Sequence, residues 1–373
     1  MRYKAVNQMP LRIAENFIDQ YIRHIPAQEL PPKKMFTYHQ GVFLSGVEHV
    51  YLQNGNKAYD EYIKDYLSVV LDEKKKAKQI KDHFWVSLNS LDFRQAGILL
   101  VRLYTESGNQ QYLDSIAELC ESLIDYPRNA HGGFWHMKSQ PNQMWLDSLY
   151  MVGPLCAQYA VISKKNDFGN IAVEQACLMY DNMHDKSNNL LHHGWDDSFK
   201  AQWADKLTGL SSEKWGRAMG WFVVAVMDII EILGKNFEGI PSLIEKVLSV
   251  FRSLPDYQTK NGYWCQVIDK PTYPGNWEET SCTCLIAYAI AKAVRIGILE
   301  QTYLKVAQKA YQAVVNSLVY REDGEILLGG ICIGTCIDEG TYEHYISRKT
   351  CINDLHGVGA FLLMCAEMNL CKW

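Results

Sequence analysis

The chain of 373 residues carries 37 Lys and Arg against 42 Asp and Glu, a formal net charge of −5, which gives no reason to expect nucleic acid or an anionic membrane as partner. Its composition is that of an ordinary globular protein, 48% hydrophobic and 21% charged, and no uninterrupted apolar run approaches the roughly 18–20 residues of a membrane span. The opening segment has no apolar h-region, and the 11 Cys are odd in number and sit mostly inside apolar runs; both features point to a cytoplasmic protein with reduced, buried thiols.

Taken in chain order, the sequence alternates two kinds of helical segment. An amphipathic stretch from Leu11 to Ile22 leads to the cluster Tyr38-His39-Gln40, and an almost charge-free run follows from Gly41 to Leu52. Tyr59, Tyr62, Ile63, Tyr66, Leu67 and Val70 then keep the i, i+3, i+4, i+7 period of a helix with one buried stripe. The cluster Asp92-Phe93-Arg94-Gln95 introduces an apolar run from Ala96 to Tyr104, and Tyr112, Leu113, Ile116, Leu119, Cys120 and Leu123 form the next stripe. Trp145-Leu146-Asp147 precedes Leu149–Ala160, with an amphipathic segment from Phe168 to Tyr180 behind it. Trp215-Gly216-Arg217 precedes Trp221–Leu233, followed by the stripe Leu243, Ile244, Val247, Leu248 and Phe251. Trp277-Glu278-Glu279 precedes Cys282–Ala291, followed by Tyr303, Leu304, Ala307, Tyr311 and Val314. Last comes Asn353-Asp354-Leu355-His356 with its run Val358–Ala366.

From His39 to Asp92, Asp147, Arg217, Glu279 and Asp354 the spacings are about 53, 55, 70, 62 and 75 residues, the range of stacked supersecondary units. Helices apolar on nearly all faces are buried on every side, whereas those with one stripe cover them. Six such pairs close most economically into a ring, so the expected fold is an all-α (α/α)6 barrel spanning residues 1–373 as a single domain. No Pro/Gly/Ser linker interrupts it. Gly132-Gly133-Phe134-Trp135, Gly194-Trp195 and Gly262-Tyr263-Trp264 read as short extended or hairpin pieces in the rim loops.

A ring of this kind brings all six clusters to one end, at the N-termini of the inner helices, where unpaired N–H groups and the helix dipole favour anions. Asp92, Asp147, Asn353 and Asp354 are also suited to plain helix capping, but capping does not account for the Trp, His and Arg beside them. Asp147 is flanked by aromatic bulk; desolvation by Trp145 would raise its pKa, as a general acid at neutral pH requires. Arg217 lies between Trp215 and Trp221, a combination that suits carboxylate recognition and sugar stacking, or equally an Arg laid on core indoles. His192-His193, Cys282 with Cys284, and Cys332 with Cys336 lack a second half at zinc-like spacing, so no metal is expected. Gly-x-Gly-x-x-Gly, P-loop and Gly-x-Ser-x-Gly signatures are missing, and no cofactor is expected.

Gly132-Gly133-Phe134-Trp135-His136, Gln143-Met144-Trp145-Leu146-Asp147 with Tyr150-Met151, Tyr38-His39-Gln40-Gly41, Trp215-x-Arg217-x-x-Gly220-Trp221 and Asn353-Asp354-Leu355-His356-Gly357 together resemble the unsaturated rhamnogalacturonyl hydrolases, glycoside hydrolase family 105. The resemblance runs in order from about Tyr38 to Phe361. It implies an (α/α)6 barrel that hydrolyses, without a metal, a pectin-derived disaccharide bearing a 4,5-unsaturated galacturonate. The family hydrates the enol-ether double bond, giving a hemiketal that opens and expels the second sugar. By this matching Asp147 is the acid/base and Asp92 a second active-site aspartate. His193, Trp215, Arg217 and Trp221 would be ligands for the uronate. Tyr38, His39 and His136 would line the cavity, and Gly334, Thr335 and His356 would close it. A Lys often follows the motif His in that family; here Met137 stands in its place, and either the loop shifts to present Lys138 to the substrate or a charge near the distal sugar is lost.

Three alternatives are kept. A family 88 unsaturated glucuronyl hydrolase would perform the same hydration on other oligosaccharides. An inverting (α/α)6 glycosidase would use Asp92 and Asp147 as separate acid and base. A non-catalytic sugar-binding protein would lack turnover altogether. In each case the expected partner is an oligosaccharide, with the chain a monomer or weak homo-oligomer.

Overall fold

The computed structural model describes residues 8–33, 35–76 and 88–371. Two concentric sets of helices make up the molecule. The outer set is α1 (Gln8–His24), α3 (Lys57–Lys76), α5 (Gln110–Glu121), α7 (Asn166–Met183), α9 (Ile240–Ser253) and α11 (Leu304–Asn316). The inner set is α2 (Tyr38–Asn54), α4 (Ile98–Ser107), α6 (Asp147–Ser163), α8 (Gly216–Leu233), α10 (Thr280–Arg295) and α13 (Leu355–Leu370), and a short α12 (Tyr342–Ile346) lies in the last rim loop. Each inner helix packs on the next, and α13 returns to α2, so the ring is closed and the (α/α)6 toroid stands. Among the described residues no helix is long and apolar enough to cross a membrane.

The burial of the two sets follows their sequences. Every residue from Gly216 to Met227, from Thr280 to Ala293 and from Leu355 to Asn369 is buried, as helices covered on all sides require. Outer helices bury one stripe each: Ile240, Leu243, Val247, Val250 and Phe251 in α9, and Leu304, Ala307, Ala310, Tyr311 and Val314 in α11. Tyr59, Tyr62, Ile63, Tyr66 and Leu67 form the stripe of α3 as expected; the side chain of Val70 lies outside the described set. The stripes predicted for α5 and α9 are rotated slightly, since Tyr112, Leu113, Ile244 and Leu248 are only partly buried.

Ring closure depends on close backbone approach between the first and last inner helices. A Cβ on Gly359 would fall 2.5 Å from the carbonyl carbon of Val42 and 2.6 Å from the nitrogen of Phe43. These are backbone atoms inside a buried helix and cannot rotate away. Gly359→Ala is therefore expected to cost about 2 kcal/mol as the helices are wedged apart, read as a lower urea midpoint without a change in slope.

Among the described residues the strands form five antiparallel pairs, each strand two or three residues long. Three of them hold loops that precede inner helices. Gln143–Trp145 pairs with Gly194–Asp196, Trp264–Cys265 with Glu278–Glu279, and Ile331–Cys332 with Thr350–Cys351. The first ties the chain just before α6 to the loop before α8, and the other two close hairpins within the loops before α10 and α13. These ties fix where the cluster side chains point.

Candidate active site

The capping interpretation separates the cluster residues at once. Asp354 does cap α13, accepting from the His356 N–H at 3.3 Å, and Glu279 caps α10, accepting from the Cys282 N–H at 2.5 Å. Asn353 instead staples the 326–328 segment, accepting from Leu328 N–H and donating to the Ile326 carbonyl. Asp147 is the first residue of α6 and its carboxylate caps nothing; Ser90, not Asp92, caps the turn at 91–93. The two aspartates matched to chemistry are thus the two left free of capping.

Asp147 and His193 are brought together by the strand pair. Trp145 faces Gly194 in register, and Leu146 N–H donates to the His193 carbonyl at 3.0 Å, so the residues that follow and precede the pair lie side by side. His193 Nε2 then sits 3.1 Å from Asp147 Oδ2, and its Nδ1 sits 2.7 Å from the Tyr345 hydroxyl. Trp145 and Trp215 flank the His193 ring at 5.7 and 4.8 Å between centroids. Both His193 and Tyr345 are fully buried.

On the other side His136 stacks on Trp145 at 4.3 Å, its Nδ1 2.9 Å from Ser148 Oγ and its Nε2 3.6 Å from Asp92 Oδ1. Asp92 enters from two successive 3-10 turns at Leu91–Phe93 and Gln95–Gly97. The run expected to be helical from Ala96 therefore becomes α-helix only at Ile98.

The two carboxyl groups are pushed in opposite directions. Burial raises Asp92, His136 partly opposes this, and the neighbouring charge of Asp147 adds to it, leaving Asp92 above the ordinary carboxylate range. Burial also acts to raise Asp147, but the hydrogen bond from His193, with the electrostatic pull of His193, His136 and Arg217 behind it, outweighs burial and holds Asp147 below that range. This corrects the expectation that desolvation by Trp145 would raise Asp147: the resting group is a carboxylate. Asp92 has a consequence for stability. A carboxyl raised on folding contributes fully below its unfolded value near 3.9, and that contribution is lost as pH rises through the folded value. At pH 7 the buried Asp92 carboxyl thus opposes folding, and Asp92→Asn should raise the thermal midpoint by about 1–3 °C. The gain should shrink as pH falls toward 4, checked by calorimetry at both values.

Arg217 is fully buried over the Trp215 ring (4.4 Å), and its fork donates to the carbonyls of Cys332 at 2.6 Å and Ile333 at 2.8 Å. It anchors the strand that leads into Gly334 and Thr335. Arg348 holds that loop from outside, donating to Thr335 Oγ1 at 3.2 Å and to the Gly334 carbonyl. A Cβ on Gly334 would face the Tyr38 hydroxyl at 3.9 Å. Tyr38 in turn lies against His39 (4.0 Å), His356 (6.3 Å) and Trp221 (6.4 Å), with Tyr150 stacked on Trp221 at 4.7 Å. This aromatic group therefore joins residues of the first, third, fourth and last units. Lys138 stands apart: it is exposed, its ammonium 5.5 Å over the Tyr126 ring. Met137 takes the inward place, packing on an apolar rim cluster of Trp145, Trp203, Ala204 and Ile337 with Ala201 and Cys336.

Among the described residues, His39, Asp354 and His356 offer three metal-ligand-type atoms within 4.8 Å of one another. Their partners describe a different arrangement. Asp354 Oδ1 lies 2.6 Å from His356 Nδ1, His356 Nε2 lies 3.1 Å from the Cys332 carbonyl, and Thr37 Oγ1 lies 3.2 Å from His39 Nδ1. Burial, His356 and the Arg217 charge together push His39 down to about 4. A site already pressed by a guanidinium is poorly suited to a further dication. His192 Nδ1 is turned to the Ser211 carbonyl, and the described cysteines are free thiols.

Tyr345 and Ser148 belong to this site and were not singled out from the sequence, and Cys336, weighed there only as a metal ligand, joins them. Cys336 stands close enough to feel the charges of both Asp92 and Asp147. The only sequence signal for Tyr345 was indirect, because a buried His193 needs a partner on each nitrogen.

Residues 11–371 match the sequence family described as Glycosyl Hydrolase Family 88. A family 105 glycoside hydrolase of C. acetobutylicum ATCC 824 is 29% identical, over 95% of this chain and 98% of that chain, with a TM-score of 0.83. An unsaturated glucuronyl hydrolase from Bacillus sp. GL1, responsible for the degradation of glycosaminoglycan, is 13% identical over 96% and 94% of the two chains, with a TM-score of 0.70, a likeness of fold alone. Protein Atu3128 of Agrobacterium fabrum (strain C58) is 30% identical over 193 residues, 48% of this chain and 82% of that protein. The family 105 resemblance of the motifs and the (α/α)6 toroid are both borne out.

Proposed function

Because the chain belongs to glycosyl hydrolase family 88, we propose that it is a glycoside hydrolase that hydrates the C4=C5 enol-ether bond of an unsaturated galacturonyl residue at the non-reducing end of a pectin-derived rhamnogalacturonan disaccharide. The observation that carries this reading is the freedom of Asp147: a buried carboxylate at the head of α6, engaged by His193 and facing a wall of Trp, Tyr and His.

One acid/base suffices for this chemistry. Asp147 protonates C4, then as carboxylate accepts a proton from the water adding at C5. The hemiketal at C5 opens to a ketone, the ring oxygen returns to C1 as a hydroxyl, and that centre collapses to an aldehyde with release of the second sugar. The resting Asp147 is ionised and must first gain a proton. An anionic uronate arriving beside His193 and Arg217 supplies the reversal, since its charge offsets the positive field that holds Asp147 down. A neutral sugar would not do so, which favours an acidic substrate. Asp92, near His136, is placed to hold substrate or water. Trp215 and Trp221 are both fully buried, Trp215 beneath Arg217 and Trp221 against Tyr150, so they shape the site from behind instead of stacking on the sugar, and the Met137-bearing rim cluster borders the second sugar.

The test is a substrate panel. Disaccharides from rhamnogalacturonan lyase should be consumed with kcat/KM at least about 10-fold above unsaturated glucuronyl disaccharides from glycosaminoglycan. The opposite order would assign the glucuronyl substrate, and consumption of neither would overturn the reading.

A further inference from the structure

Tyr345 lies within the five-residue α12, far in sequence from Asp147, yet its hydroxyl is the second partner of the histidine that holds Asp147. Its position is built rather than incidental. The Tyr345 carbonyl accepts from Gln266 Nε2 at 3.1 Å, and Gln266 Oε1 accepts from Trp215 Nε1 at 3.0 Å, so one amide ties α12 to the head of α8. The ring is fully buried against His193 and Trp215.

The hydrogen-bond arithmetic along this line has few solutions. A carboxylate only accepts, so His193 Nε2 must carry the proton it donates to Asp147 Oδ2. Burial keeps His193 neutral, with His136 and Arg217 also opposing a charge on it. A neutral ring has one N–H, so Nδ1 is left with a lone pair that needs a donor. Tyr345 supplies it, because burial raises the phenol and keeps its proton in place. The remaining groups that bear on this pair are Glu213, Asp338, Cys336 and His344, and none supplies the proton that Nδ1 receives from Tyr345 at 2.7 Å.

We propose that Tyr345 is a positioning residue: by donating to His193 Nδ1 it locks the ring with its proton toward Asp147, keeps Oδ2 engaged, and leaves Oδ1 as the oxygen that exchanges the reacting proton. This rests on the reading of Asp147 as acid/base. It gives one carboxyl group two separate jobs, an anchored oxygen and a working one. That separation suits a residue that must first give a proton and then take one back without turning.

The experiment uses the full chain labelled with 15N-histidine, with His193→Gln to assign the His193 signals among the 11 histidines. Wild type should show a protonated Nε2 and a hydrogen-bonded, unprotonated Nδ1 on His193. Tyr345→Phe, which keeps the ring and its packing, should lose that signature. A wild-type His193 protonated on Nδ1, or a Tyr345→Phe spectrum unchanged from wild type, overturns the relay. In turnover, Tyr345→Phe should lower kcat about 10- to 100-fold with KM within about twofold, and move the alkaline limb of the pH profile upward, since Asp147 loses a firm donor and holds its proton to higher pH. A fall in kcat with the pH profile unmoved would contradict positioning and indicate a packing role. Absence of wild-type turnover on every unsaturated disaccharide would count against the proposed function alone, because the nitrogen signature decides the relay by itself.

Discussion

Asp147→Asn is expected to lower kcat by about 10³-fold or more while the protein stays folded and still binds its substrate. The expectation follows from what Asp147 does not do. Among the described residues it caps no helix and carries no ion pair with Lys or Arg, and its carboxylate accepts the His193 proton at 3.1 Å. An asparagine oxygen can accept that same proton in nearly the same place, so the surrounding Trp145, His193 and Tyr345 need not move. The lost property is the exchange of a proton, which an amide cannot perform at neutral pH. Isothermal titration with the unsaturated disaccharide should therefore give a Kd that can be measured on the variant without turnover. Loss of binding together with activity would make Asp147 a structural residue.

Arg217→Met is expected to have the largest effect on stability, about 3 kcal/mol, together with a raised KM. The Arg217 fork satisfies two buried carbonyls, Cys332 and Ile333, and its plane lies on Trp215. Met fills similar space but removes a charged donor from both carbonyls, and a hydrogen bond to a charged group is worth roughly 1.5–3 kcal/mol. The Cys332 carbonyl keeps His356 Nε2 and the Ile333 carbonyl keeps Thr335 Oγ1, so the loop that carries Gly334 and Thr335 is loosened and not released. Arg217→Lys should recover only part of the loss, since a point charge cannot reproduce the planar fork. Urea unfolding of the three proteins, with KM measured alongside, checks the order: wild type above Lys above Met in stability.

The architecture was legible because helices buried on all sides have a different sequence texture from those with one stripe, and the six alternations left one closed arrangement. The ends of those helices were harder. Ala96 and Gly97 look helical by composition but lie in a 3-10 turn, where Gln95 and the backbone at 96 crowd Gly41 of α2. Neighbours from other units decided the rest of the site. The pKa of Asp147 was misread in direction because Trp145 is adjacent in sequence, whereas His193 and Arg217 arrive from the next strand and the next inner helix. Capping was assignable from sequence for Asp354, but Asp92 and Asn353 have other partners. Tyr345 left only an indirect signal, since a five-residue helix in a rim loop has no periodicity to read. Lys138 was considered as a replacement for the basic residue at position 137; instead the bridge between Ser90 and Met137 turns Met137 to the rim cluster and leaves Lys138 outside.

The central claim is vinyl-ether hydration by Asp147, and the most direct measurement is the ultraviolet absorbance of the conjugated uronate during incubation with lyase-generated rhamnogalacturonan disaccharide. Hydration removes the double bond, so wild type should bleach the absorbance in step with release of the second sugar, and Asp147→Asn should leave it standing. Release of sugar with the absorbance intact would contradict the account and make Asp92 and Asp147 a conventional glycosidase pair.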